Sequence, residues 1–262
     1  MSEGFSAHWL GLREPYDQAA VDRRLLGRLL EWAGRQECLD IVDLGAGTGS
    51  TMRRLAPVLG VPQLWTLVEL DPALIEAGSR SLPAGASYRR LDLARELGEV
   101  ARLPAGLITA SALIDLVSAA WLEELAALVR RTDCGLYVVL TFDGRIDWQP
   151  AHPLDPAVRD LVNRHQRTDK GFGPALGPDA APALAKLLLG AELAPSDWRL
   201  SPGDGLLQQE LLEGYAAAAA VMDPEQEGAI LAWREARAAR IRSGQSRLTI
   251  GHLDLLRLPA GA

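Results

Sequence analysis

Cysteine is scarce in this chain. Cys38 and Cys134 are the only two, too few for a disulfide framework, so a reducing, cytoplasmic setting is expected. Basic charge is also short: the net charge is −7 and the sequence pI is about 5.2. That excludes wide contact with phosphates, so no nucleic-acid partner is expected, although a small basic pocket stays open. No apolar run approaches membrane-spanning length, and no membrane partner is expected. The run Ala216–Ala220 sits beside Glu213 and Tyr215 and reads as helix. The opening residues Met1–Phe5 lack the basic-then-apolar order of a secretory signal. No Cys/His cluster has zinc spacing, and Gly-x-Ser-x-Gly is absent. No metal is expected. There is no internal repeat and no low-complexity linker. What is left is ordinary: 48% hydrophobic and 23% charged residues over 262 positions, the profile of one globular domain with insertions.

Strand and helix signals alternate along the first half. Residues 18–35 carry leucines at helical spacing. Residues 38–44, 64–70, 86–91, 106–110 and 135–142 read as five short strands. Helices are expected at 50–59, 92–100 and 119–131, and another is opened by the cap-then-proline pair Asp71-Pro72. Repeated βα units imply a parallel sheet with helices on both faces. After Phe142 the regularity fails. Pro150, Pro153 and Pro156 punctuate a loop, helices are expected at 155–168 and 179–189, and a strand at 194–200. Helices at 205–221 and 224–243 then precede a last strand at 247–258.

The richest stretch is Ile41-Val42-Asp43-Leu44-Gly45-Ala46-Gly47-Thr48-Gly49-Ser50. It reads as a buried strand, a glycine turn and a helix start. Without Cβ atoms the turn lets a ligand lie against the backbone, and the helix start offers unpaired N–H groups and a positive dipole end. Glu69-Leu70-Asp71-Pro72 ends the next strand, where an acidic side chain can accept from ribose hydroxyls. The G-x-G-x-G frame differs from the dinucleotide fingerprint G-x-G-x-x-G.

On these motifs the chain resembles the class I, Rossmann-like methyltransferases that use S-adenosylmethionine (SAM). The resemblance covers about residues 7–145 and weakens beyond. It implies an α/β, doubly wound, mostly parallel seven-stranded sheet with a C-terminal antiparallel hairpin and a helical insertion. It implies SAM as cofactor, with Asp43 on the methionine amino group and Gly45, Ala46, Gly47 and Gly49 forming the turn. Glu69 then takes the ribose hydroxyls and Leu70 packs on the adenine. Asp92 and the backbone of Leu93 read the adenine edge, and the backbone at Ser111 faces the sulfur. Asp92 also reads as a helix cap, and the two roles are compatible. Residues 1–17 form a lid segment in which Arg13 meets the SAM carboxylate and Tyr16 shields the sulfonium. Surface packing of an N-terminal arm is an equal reading of that segment. The remaining divisions are a cofactor-binding core at 36–145, an acceptor-side insertion at 146–178 and a helical insertion at 204–243.

The segment after the fifth strand is dense in polar residues. Asp143, Asn163, His165 and Lys170 are the candidate acceptor-binding residues. His165, with an ordinary pKa near neutrality, is the candidate base. Arg159, Arg167 and Lys170 are candidates to hold an acidic acceptor group. A solvated helix end is the plainer reading for any one of them. Strand four does not end in the Asn/Asp-Pro-Pro-Tyr/Phe of enzymes that methylate adenine or glutamine amides. Asp143 is followed by Gly144, which weighs against the metal-dependent catechol-type members. The expectation is methyl transfer to a small polar molecule, at an oxygen, nitrogen or carbon that the motifs do not specify. The alternatives are a catalytically silent SAM-binding regulatory or assembly protein and, less well supported, a nicotinamide oxidoreductase. The motifs leave the oligomeric state open.

Overall fold

The computed structural model describes residues 6–259 and 261. Residues 1–5 of the expected lid, and with them the reading of Met1–Phe5, lie outside the described residues. Five strands, β1 (Leu39–Leu44), β2 (Gln63–Glu69), β3 (Ala86–Arg90), β4 (Leu107–Ser111) and β5 (Gly135–Gln149), run parallel in the order β3-β2-β1-β4-β5. The last strand, β8 (Arg247–Arg257), adds antiparallel to β5, and β6 (Glu192–Pro195) pairs with its other side. This is the doubly wound sheet the alternation implies. Successive residues of the central strands feed opposite cores: Ile41, Tyr137 and Val139 on one face, Val42, Leu136 and Val138 on the other. Helices α2 (Arg23–Ala33) and α3 (Ser50–Leu55) cover the first face. Helices α5 (Leu93–Val100), α6 (Ala119–Thr132) and α8 (Ala180–Leu187) cover the second.

Local chemistry sets several helix starts. The Asp71 carboxylate accepts from Ala73 N at 2.8 Å to open α4 (Pro72–Ser79), and Asp92 accepts from Ala94 N at 3.0 Å to open α5.

Three elements differ from the expectation. The N-terminal segment is not an arm before a helix at 18–35. It is a helix of its own, α1 (Ala7–Ala20), capped by Ser6 and separated from α2 by Asp22, whose side chain accepts from Leu25 N at 2.8 Å. The cap restarts the chain in a new direction, so one apolar period is split between two helices.

The fifth strand does not stop at Phe142. It runs to Gln149 because Gly144, at φ 92°, turns a bulge that lets Ile146 and Trp148 point inward again. A second irregularity places Leu140 at φ 58°, and the buried Asp254 on β8 accepts its N–H at 2.9 Å. The other oxygen of Asp254 accepts the N–H of Asp22 at 2.8 Å. One carboxylate thus pins the bulge to the start of α2.

The sheet has eight strands instead of seven. The strand expected at 194–200 is broken at Ser196-Asp197 into β6 and β7 (Trp198–Leu200), and both pair with β8. Between β7 and β8 stand α9 (Gly205–Met222) and α10 (Glu227–Arg242), which pack with α7 (Asp155–Gln166). Asp155 ties them together. Its carboxylate takes the Trp233 indole N–H at 2.8 Å, the His152 N–H at 2.7 Å and the guanidinium of buried Arg237.

Candidate functional site

Two cavities lie at the carboxyl ends of the parallel strands, where ligands bind in open α/β sheets. The first, about 570 Å³, is lined by the β1–α3 turn, the ends of β2 and β4, and α1. The second, about 880 Å³, is lined from β4, β5, α7, α9, β7 and β8. Arg13 and Ala112 line both. One face of α1 serves the pair: Leu10, Arg13 and Asp17 face the first cavity, and Ser6, Trp9 and Arg13 the second. Ala112 holds φ 50°, a left-handed conformation seldom used by a residue with a Cβ and common at binding sites.

In the first cavity Gly45, Gly47 and Gly49 all have positive φ, at 62°, 55° and 85°. Gly45, Ala46 and Gly47 line it; Gly49 does not, and faces Leu67 and Tyr88. Glu69 lines it too. Its Oε2 accepts from Gly47 N at 2.8 Å, and its Oε1 accepts from Leu70 N and Asp71 N at 2.8 and 2.9 Å. Three of the four lone-pair sites of this carboxylate are therefore taken by backbone, leaving room for one further donor, not two.

Leu70, Leu93 and Ser111 line the cavity. Asp92 does not, and its side chain serves as the cap of α5. Arg13 lines it while paired with Asp17 at 2.9 Å and lying 5.0 Å over the Trp198 ring. Tyr16 points elsewhere. Its hydroxyl donates to Asp204 at 2.9 Å, at the start of α9, outside both cavities.

Asp43 sits beneath the turn, fully buried. Its Oδ1 accepts from the Thr109 hydroxyl at 2.7 Å, Thr51 is a second hydrogen-bonding side chain beside it, and the carboxyl itself does not line the cavity. Burial pushes its pKa up to about 7, against the opposing pull of Thr109 and Arg54.

In the second cavity His165 and Lys170 lie on the wall, with Lys170 Nζ 2.9 Å from Thr168 Oγ1 and 3.4 Å from His165 Nδ1. Burial lowers the pKa of both, and the Lys170 charge adds to the effect on His165. Asp143 and Asn163 are not on the wall. Asp143 clasps Arg145 at the bulge of β5, and Asn163 donates to Gly144 O at 3.0 Å. Both are occupied in holding the bulge. Arg159 and Arg167 are likewise off the wall, paired with Asp160 and Asp179.

Several wall residues carry no local motif: Trp9, Asp115, Trp198, Tyr215 and His252. They come from five elements far apart in the chain, and only the fold brings them together. A buried polar residue just past a strand end was the one signal available, and it applies to Asp115.

Among the described residues no group of His, Cys, Asp and Glu could hold a metal ion, and no helix is long and apolar enough to cross a membrane.

No protein-family model matches the chain, and no curated protein matches it. Solved structures do. The chain is similar to a cyclopropane-fatty-acyl-phospholipid synthase-like protein from Lactobacillus casei, at 14% identity over 97% of this chain and 95% of that one, with a TM-score of 0.53. It is similar to the YcgJ protein from Bacillus subtilis at 15% identity over 92% and 100% of the two chains, with a TM-score of 0.51. A SAM-dependent methyltransferase from Geobacter sulfurreducens in complex with S-adenosylhomocysteine aligns over 94% and 98% at 13% identity, with a TM-score of 0.42. At these identities the likeness speaks to fold alone. With the strand order, it makes this a doubly wound, Rossmann-like α/β fold.

Proposed function

We propose that this chain transfers a methyl group from SAM to a small molecule held in the second cavity. The observation that carries the reading is the junction of two unlike cavities at Arg13 and Ala112, one floored by a glycine turn over a buried acid, the other walled by aromatic and polar side chains. The first suits SAM on three counts. The positive-φ glycines let the ligand approach the backbone. Asp43, behind the turn and off the cavity lining, places a carboxyl whose charge favours a cationic amine on that side. Glu69 keeps one acceptor site for a ribose hydroxyl, with Leu70 and Leu93 beside it for the adenine.

When bound, SAM supplies a methyl group already activated by its sulfonium. The protein's task is then alignment and exclusion of water. The backbone of Ser111 and Ala112 and the Arg13 guanidinium stand between the two ligands. His165 and Lys170 hold the acceptor on the α7 side.

Calorimetry tests the cofactor. SAM or S-adenosylhomocysteine should bind in the micromolar range, about −8 kcal/mol, with NAD and NADP far weaker. Tight NADP binding without SAM binding sinks the reading in favour of an oxidoreductase. SAM binding without turnover of any acceptor favours a silent binding protein. Glu69→Ala should cost about 1.5–3 kcal/mol of SAM affinity, the scale for losing charge-assisted bonds. Unchanged affinity in a folded variant removes Glu69 from the site.

Asp43 gives the binding a pH dependence. Its pKa of about 7 means that it is largely protonated below neutrality, while an unfolded Asp is ionised above pH about 4. The native state then holds a proton that the unfolded chain has lost, so its contribution to stability falls as pH rises from about 4 to 7. A cationic amine favours the ionised form. SAM affinity should therefore rise as pH is raised through 7, with release of a proton measurable by calorimetry in buffers of different ionisation enthalpy. Asp43→Asn should flatten the profile. A flat profile in the parent protein counts against Asp43 as the amine's partner.

A further inference from the structure

The second cavity concentrates features that are rare elsewhere in the chain. The chain has 7 Trp, 4 Tyr and 3 Phe, and four of these rings, Trp9, Phe142, Trp198 and Tyr215, line this one space. Lys170 and Lys186 are its only lysines. Lys170 is on the wall, and among the described residues it makes no ion pair; the nearby Arg145, Arg159 and Arg167 all pair with carboxylates. The reverse holds for Asp115, just beyond the shared Ala112. It lines the cavity at 7% exposure, and its Oδ1 has no partner among the described residues.

Resting on the methyl-transfer reading, we propose that the acceptor is a flat, apolar-bodied acid whose anionic group meets Lys170, whose body lies among the four rings, and whose O–H or N–H meets Asp115. The cavity's 880 Å³ suits a molecule of one or more fused rings and falls in the range of small-molecule sites. A lysine without a carboxylate, partly desolvated, is completed by an anion; burial already weakens its hold on the proton, and an anion restores it. A buried carboxylate oxygen without a partner costs stability until a donor reaches it; burial raises the Asp115 pKa to about 6 against the pull of its own backbone N–H and of Arg13. The other carboxylates on the wall are placed differently. Asp169 is committed to the N–H groups of Gly171 and Gly173, and Glu210 is exposed at the rim. His252, with a pKa pushed by burial down to about 3, adds no charge. A cationic acceptor would meet both Arg13 and Lys170 on the same wall.

The test is binding to the full chain saturated with S-adenosylhomocysteine, followed by calorimetry. The probes are hydroxynaphthoate, naphthoate, naphthol and naphthylmethylammonium. Hydroxynaphthoate should bind at least tenfold tighter than naphthol, and the ammonium weakest. Lys170→Met should erase the preference for the acid while naphthol binding stays as it was. Asp115→Asn should reduce the advantage of hydroxynaphthoate over naphthoate. Equal binding of acid and naphthol, tighter binding of the ammonium, no binding of the acid, or an acid preference that survives Lys170→Met each overturns the proposal. Failure of S-adenosylhomocysteine itself to bind refutes the methyl-transfer reading instead, so the two outcomes are distinct.

Discussion

Gly47→Val is expected to lower the affinity for SAM and S-adenosylhomocysteine at least 100-fold, about 2.7 kcal/mol, while far-UV dichroism stays near that of the parent. Two effects add. Gly47 holds φ 55°, a region that a β-branched residue enters only under strain. Its N–H is also the donor to Glu69 Oε2, and its carbonyl accepts from the Tyr88 hydroxyl at 3.0 Å, so the turn cannot relax without loosening both. The added Cβ would stand 3.0 Å from Leu10 Cδ1 of α1, on the lining of the first cavity. The leucine tip can move aside; the backbone angle cannot change so readily, and the valine methyls add bulk where the cofactor would lie. Near-normal affinity in a folded Gly47→Val protein would refute the close approach of ligand to this turn.

The second large effect concerns stability. Asp155→Ala should destabilise the protein by about 3–5 kcal/mol, because it strands the Arg237 guanidinium, 2% exposed, without its counter-charge. Arg237 keeps only the Pro150 carbonyl at 2.7 Å and the Trp148 ring at 5.3 Å. The indole of Trp233 and the N–H of His152 lose their acceptor in the same change. The double variant Asp155→Leu with Arg237→Met should recover much of the loss, since an apolar pair of similar volume removes the buried charge altogether. Denaturant unfolding measures both. A loss below 1 kcal/mol for Asp155→Ala would mean that the arginine finds water in place of the carboxylate.

The parts of the molecule that were legible in the sequence are those set by neighbours in the chain. The β1 strand, the glycine turn, Glu69 at the end of β2 and the caps Asp71 and Asp92 all depend on contacts within a few residues or on one βα unit. The misread elements depend on distant partners. The outer half of β5 is a strand because β8 runs beside it, and its Asp-Gly-Arg bulge looks like an ending when read alone. The break between β6 and β7 answers to the same β8. Of the candidate acceptor residues, His165 and Lys170 stood out by chemistry and line the second cavity. Asp143 and Asn163 looked alike in sequence, yet the bulge claims them. The aromatic rings and Asp115 come from segments that no short pattern joins.

The central place of β8 bears on how the chain is made. Everything between Gln149 and Arg247 leaves the ribosome before the strand that covers β5. Throughout that interval the nascent protein presents the free edge of a long apolar strand, the kind of template on which chains aggregate. The inner half of β5 is buried along its whole length in the finished fold, but the outer half alternates, with Arg145 and Asp147 at its outward positions and the Gly144 bulge between the halves. Charge and a kink on an open edge discourage pairing with a stranger. The same residues that interrupt the strand pattern therefore act as gatekeepers during synthesis, holding the edge for the one strand that arrives last.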